Sequence, residues 1–151
     1  MAPGTSEALE VHGSAVAVDG RGLLILGPSG SGKSRLAVEM LALGAGLVAD
    51  DRVRIKPGAP PILHAPNRWP GLVEVRGLGL IPAPRAAPVP CRAAIDLGRE
   101  GQGRLPRHGR LALAGGEVTC LRWGEGHPYA AALILYLRCN GDEDGGRADG
   151  S

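Results

Sequence analysis

Phenylalanine is absent from this chain, and tryptophan and tyrosine occur only twice each. With so few rings, an aromatic core is excluded, and the interior has to be assembled from Leu, Val, Ile and Ala. Lysine is nearly absent too, standing only at Lys33 and Lys56. A formal net charge of +2 offers no basic face for nucleic acid, and only Arg104, Arg107 and Arg110 approach a cluster. The three cysteines, Cys91, Cys120 and Cys139, are scattered, odd in number and without a C-x-x-C pair. Neither a disulfide framework nor a Cys/His metal site is expected, and reduced thiols in a cytoplasmic protein are. No apolar run reaches membrane-spanning length, and no basic-then-apolar leader opens the chain. Nucleic acid and membrane are therefore not expected as partners.

What the chain does have is glycine (25) and proline (13), interrupting apolar runs that persist between them. Many turns and connections within an ordered fold are expected from that combination. The length of 151 residues suits one core. We expect a single domain over residues 1–140 and a frayed, acidic, Gly-rich tail over residues 141–151.

One stretch organises the rest: Gly27-Pro28-Ser29-Gly30-Ser31-Gly32-Lys33-Ser34. It follows the apolar run 23–26 and opens into a helical pattern over 35–43. Strand, G-x-x-x-x-G-K-S and helix together form the context in which a P-loop match becomes a structural expectation. Glycines let successive backbone N–H groups turn in around a phosphate chain, at the positive end of a helix. Lys33 can reach the β- and γ-phosphates, and the Ser34 hydroxyl can hold magnesium. The bland alternative is a Gly/Ser turn between strand and helix.

Before the loop, residues 15–18, Asp19-Gly20 and residues 22–26 read as a hairpin. His12 is expected at the start of the strand paired beside the P-loop strand. In the helix, Leu36, Met40 and Leu43 share a face, and Gly44 and Gly46 end it. Residues 47–49 read as a strand that delivers Asp50 and Asp51 at its C-terminal end, where open α/β sheets bind ligands. Adjacent strand residues point to opposite faces, so the two carboxylates are not expected to share one role. Residues 52–56 alternate as a strand with one solvated face, and 62–64 form a short one. Residues 72–76 alternate until the glycines at 77 and 79, residues 82–90 read as an exposed irregular segment, and residues 91–97 resume as a strand ending in Asp96. Further short strands are expected near 110–113 and 117–122, then a final helix beginning at Gly126-His127-Pro128. On pattern alone, Glu74 is an ordinary solvated strand residue and His12 an ordinary loop histidine.

The P-loop, the stretch Leu47-Val48-Ala49-Asp50-Asp51-Arg52-Val53, and Val73-Glu74-Val75-Arg76-Gly77-Leu78-Gly79-Leu80-Ile81 occur together in that order, after Val11-His12-Gly13. With them the chain resembles the catalytic domain of HPr kinase/phosphorylase, and particularly the short alphaproteobacterial type. Glu-x-Arg-Gly-x-Gly is the more specific piece, since the P-loop is shared by very many NTPases. The resemblance implies an α/β fold of the P-loop type shared with phosphoenolpyruvate carboxykinase. That fold has a mixed central sheet, the P-loop between a strand and a helix, and a C-terminal helix. It also implies ATP- and Mg2+-dependent phosphorylation of a regulatory serine on the phosphocarrier HPr. Within it, Asp51 takes the serine proton, supported by His12, and Lys33 engages phosphate. Ser34 and Glu74 bind the metal, Asp50 is a further candidate for its shell, and Arg104 resembles a later catalytic arginine. The family is often hexameric. Two departures stand out. Arg35 replaces a common acidic residue, and the stretch Arg122-Trp123-Gly124-Glu125-Gly126-His127-Pro128 lacks the lysines of a basic loop important for dephosphorylation. Phosphorolysis is therefore expected to be weak.

Two rival readings remain at this level. One is a P-loop kinase or ATPase with a small-molecule substrate, although neither a second glycine-rich signature nor an arginine-rich lid is present. The other is a nucleotide-gated binding module, against which the pairing of Lys33 with Asp51 argues.

Overall fold

A computed structural model describes residues 8–98 and 108–140. Arg104 and the acidic tail over 141–151 lie outside the described residues. The main sheet contains β1 (Leu9–His12), β2 (Ser14–Val18), β3 (Arg21–Leu26), β4 (Gly46–Ala49), β5 (Arg52–Lys56), β6 (Ile62–His64) and β9 (Val89–Asp96), with the hairpin β10 (Gly109–Leu113) and β11 (Gly116–Leu121). A separate two-stranded sheet is made by β7 (Leu72–Val75) and β8 (Gly79–Pro82). Two helices complete the fold, α1 (Lys33–Ala42) and α2 (Ala130–Asn140).

The strand order β1-β5-β6-β9-β3-β2-β4 places the P-loop strand β3 in the interior, antiparallel to β2 and parallel to β9. Along its other edge β9 changes partner. Val89 and Pro90 pair antiparallel with β6, while Ala93 to Ile95 run parallel to β11. The sheet is thus mixed, as expected from sequence.

Strand alternation splits the interior between the two faces of this sheet. On one face Val16, Leu23, Ile25, Ala93 and Ile95 pack with Leu36 and Met40 of α1 and Leu133 and Leu137 of α2. On the other, Ala15, Leu24 and Ala94 pack with Val53 and Ile55 of β5, Leu63 of β6 and Val118 of β11. Because both faces of β3 are covered, Leu23-Leu24-Ile25 reads as a continuous apolar run rather than an alternating one. The largest fully buried side chains are Leu, Ile, Met and Val, as the lack of aromatics requires.

Helix α1 begins two residues earlier than its sequence pattern, directly at Lys33. Gly32 caps it in the left-handed region (φ 102°), and its carbonyl accepts the N–H of Leu36. At the far end Gly44 (φ 109°) donates to Leu41 O and Ala45 to Met40 O, the paired bonds of a Schellman motif. The turn carries Leu43 out of the apolar face, and it is 50% exposed rather than buried. Helix α2 starts at Ala130, later than the Gly126-His127-Pro128 signal suggests.

Two other expectations are corrected. His12 does not begin the strand beside β3. It ends β1, which pairs with β5 (His12 opposite Arg52), and Gly13 separates β1 from β2. A side chain at Gly13 would meet the Ile25 carbonyl at 2.7 Å, so the break leaves no room for a Cβ against β3. Residues 82–90 are not a loose segment. Leu47 N–H donates to Pro84 O and Ala86 N–H to Leu47 O, so this proline-rich stretch covers the outer edge of β4. Arg85 also stacks on Trp69 at 5.2 Å.

Candidate functional site

The P-loop lines a cleft of about 1020 Å³ at the C-terminal ends of β3 and β9. Three of its glycines have positive φ, Gly27 (147°), Gly30 (83°) and Gly32 (102°). A Cβ at Gly27 would lie 2.5 Å from Ser31 Oγ, so the cradle requires glycine there for space as well as conformation. Ser31 Oγ is buried without a hydrogen-bond partner, an orphan hydroxyl within the loop. Lys33 is buried, and its ammonium donates to the carbonyls of Gly27 (2.7 Å) and Pro28 (3.1 Å). A buried cation held, among the described residues, by backbone carbonyls of a glycine-rich turn suits an anionic ligand, which would supply the charge these carbonyls lack.

The two adjacent carboxylates separate as expected, but by a different device. Strand β4 ends at Ala49, and Asp51 adopts a left-handed conformation (φ 74°) that turns the chain between β4 and β5. Asp50 Oδ1 accepts from Ser14 Oγ (2.7 Å) and from Ser34 Oγ (3.3 Å), which ties it to the first turn of α1. Asp51 Oδ1 meets His12 Nε2 at 3.1 Å at the rim, with Asp51 71% exposed along its side chain. Because a carboxylate only accepts, His12 carries its proton on Nε2. The backbone fixes this corner as well, since Gly13 N–H donates to Asp51 O.

Among the described residues no group of three or more His, Cys, Asp or Glu side chains converges as a preformed metal cage. Magnesium does not require one, because it keeps several waters and takes one or two carboxylates plus phosphate oxygens. The oxygen pair Ser34 Oγ and Asp50 Oδ1 fits that demand. Glu74 lines the same cleft from β7 with an exposed side chain, and Ser34 lines it from α1, whereas Asp50 does not line the cavity and reaches it only through its hydrogen bonds with Ser14 and Ser34.

Sequence reasoning passed over several cleft residues. Asp96 ends β9 beside Leu26 of β3 and accepts the N–H of Gly98 at 2.9 Å. The signal was available, since P-loop NTPases pair the loop Ser/Thr with an Asp from a second strand, and residues 91–96 are an apolar strand ending in Asp96. His127, Glu39 and Trp123 also line the cleft. His127 Nε2 meets Glu39 Oε1 at 3.0 Å, while Arg35 donates to Glu39 Oε2 at 3.2 Å.

The sequence pattern that defines the HPr Serine kinase C-terminal domain matches residues 4–86, more than half of the chain. The chain belongs to this family. All the candidate residues except Arg104 fall within the matched span. The HPr kinase/phosphorylase of Bordetella pertussis is 48% identical over 83 residues, which is 54% of this chain and 26% of the relative. That of Aromatoleum aromaticum is 45% identical over 78 residues, 50% of this chain and 25% of the relative. The chain thus aligns with about a quarter of the length of these curated relatives. The solved structure of the HPr(Ser) kinase/phosphatase from Coxiella burnetii superposes with a TM-score of 0.73 at 21% identity. It covers 87% of this chain and 89% of that one, so the likeness of fold extends past the matched span of residues 4–86.

Proposed function

We propose that this domain transfers the γ-phosphoryl group of ATP to a serine hydroxyl of the phosphocarrier HPr. The observation that carries the reading is the meeting, in one cleft, of the P-loop with Ser34, whose hydroxyl is bonded to Asp50 behind it, and with the His12–Asp51 pair. A phosphate cradle alone is compatible with any NTPase. An exposed, oriented carboxylate at its rim adds a group able to receive a proton from an acceptor arriving from solvent.

In this reading the loop amides and Lys33 hold the triphosphate. Magnesium, held by Ser34 with Asp50 and Glu74, would neutralise charge on the β- and γ-phosphates. Asp51 accepts the serine proton as the new O–P bond forms, the bond from the γ-phosphorus to the bridging oxygen breaks, and ADP leaves. His12 occupies Asp51 Oδ1 and leaves the second carboxylate oxygen for the proton. The exposure of Asp51 suits a macromolecular acceptor better than a small metabolite enclosed in a pocket. Arg104 is retained as a candidate for stabilising the transferred group. A cytoplasmic location and a hexameric assembly complete the reading, and sedimentation velocity checks the latter.

Intact-mass analysis of HPr after incubation with the protein, magnesium and ATP tests it. A single phosphate-sized increase is expected, abolished in Asp51→Asn while ATP binding persists. Tight ATP binding with no mass change would turn the reading to a nucleotide-gated binding module. Phosphorylated HPr incubated with inorganic phosphate should revert slowly, because residues 122–128 bring one Arg, one Glu and no Lys to this region. Rapid release of pyrophosphate would overturn that part.

A further inference from the structure

His127 lies between β11 and α2, outside the span that the family pattern matches, yet its ring is packed on the P-loop. A Cβ built on Gly32 would sit 3.3 Å from His127 Nδ1 and 3.4 Å from its Cε1. Position 32 therefore needs glycine for its left-handed backbone, and any side chain there would press on the imidazole above it. The opposite ring nitrogen is taken. Nε2 lies 3.0 Å from Glu39 Oε1, and Glu39 is steadied through its other oxygen by Arg35. Since a carboxylate can only accept, the Nε2 proton is committed to Glu39 and the Nδ1 edge is left for the loop. The ring is 20% exposed and lines the same cleft as Ser29 to Ser34.

We infer that His127 is a phosphate-binding residue of this site, and that Glu39 is the positioning residue that aims it. The inference rests on the reading of the cleft as a nucleoside triphosphate site and extends it to a part of the chain that the P-loop motif does not contain. The imidazolium form satisfies both neighbours at once, Nε2–H donating to Glu39 and Nδ1–H to a phosphate oxygen over Gly32. Bound phosphate thereby ties the segment before α2 to the first turn of α1. The arrangement also gives residues 122–128 a basic contact with ligand despite their lack of lysine.

Two amides separate ligand binding from mere packing. The side-chain nitrogen of Asn overlays Nδ1 of histidine, whereas that of Gln overlays Nε2. Titration of the full chain with Mg-ATP and with inorganic tripolyphosphate is read by calorimetry. His127→Ala and His127→Gln should weaken both ligands about tenfold, the value of one charge-assisted hydrogen bond. His127→Asn should recover most of that loss. Glu39→Ala should cost about threefold, and nothing further when added to His127→Ala, as expected of a residue that acts through another. Gln behaving like the native protein and Asn like Ala would mean that the ring only fastens its loop to Glu39, which overturns the inference. An unchanged affinity in His127→Ala overturns it as well, with the triphosphate site intact. If the native chain binds neither ligand, the triphosphate reading itself falls and takes this one with it. Melting temperatures without ligand identify any variant that has lost its fold.

Discussion

The four histidines of the chain fall into two opposed settings. His12 and His127 stand in the cleft, and each meets a carboxylate, Asp51 and Glu39. His64 and His108 stand away from it among cations. His64 lies on β6 opposite Arg54, with Lys56 near, and its burial followed by these two charges pushes its pKa below the ordinary 6.5. His108 accepts the Arg122 backbone N–H at Nδ1, and partial burial followed by the Arg122 charge lowers it as well. One residue type therefore serves two ends here, set by what faces it. Where a carboxylate takes one ring nitrogen, the side chain is held against the cleft. Where the ring is partly buried and has cations rather than a carboxylate for neighbours, the balance shifts toward its neutral form.

The largest effect should come from the carboxylate of the more exposed pair. Asp51→Asn keeps size and the contact with His12 but removes the proposed proton acceptor, so phosphoryl transfer to HPr should fall by about 10² to 10⁴, with Mg-ATP affinity nearly unchanged. Single-turnover rates alongside calorimetry check this. A loss confined to ATP affinity would mean that Asp51 belongs to the nucleotide rather than to the acceptor. His12→Ala should cost less, about tenfold in the same rate, because the ring only orients Asp51. His12→Gln, whose amide nitrogen overlays Nε2, should recover part of it. If instead His12→Ala matched Asp51→Asn, the division into a base and its support would fail.

Asp51 also shows what part of the site was legible in the sequence. The P-loop and its flanks were, because G-x-x-x-x-G-K-S encodes a local geometry, with β3 leading into it and α1 leading out of it. That Asp50 and Asp51 would face different partners was legible too, but from strand alternation, whereas the cause is a left-handed Asp51 after the strand has ended. Contacts far apart in sequence were not. Nothing local ties His127 to Glu39 or residues 84–86 to Leu47, and the proline-rich composition of 82–90 pointed to solvent. Those prolines lack donors, yet this pairing needs only the Pro84 carbonyl and the Ala86 N–H. His12 was misplaced for a related reason, since the Gly13 break hands β1 to β5 rather than to β3. The strained turn yields its own test. Asp51→Gly should raise stability by about 0.5–1 kcal/mol, as relief of a left-handed L-residue outweighs the added freedom of the unfolded chain and the loss of an exposed hydrogen bond. Urea titration measures it, and the same variant should be inactive in transfer. A destabilised Asp51→Gly would show that the His12 contact matters more to the fold than the strain costs.

The smallest effect belongs to the other two histidines and has a definite sign. Because both rings have folded pKa values below 6.5, the native state binds fewer protons than the unfolded chain as pH drops toward and below that value. Their contribution to stability is therefore complete above about pH 7 and is lost as pH falls through 6.5 toward the folded values. Raising the pH further gains nothing from these groups. Replacing both, with His108→Asn to keep an acceptor for the Arg122 N–H and His64→Gln to keep a polar side chain between Arg54 and Lys56, should flatten the dependence of melting temperature on pH between about 7 and 5. Transfer activity at pH 7.5 should not change. A pH slope left as steep as in the native chain would place the acid sensitivity elsewhere and break the distinction between histidines that serve the cleft and histidines that serve the fold.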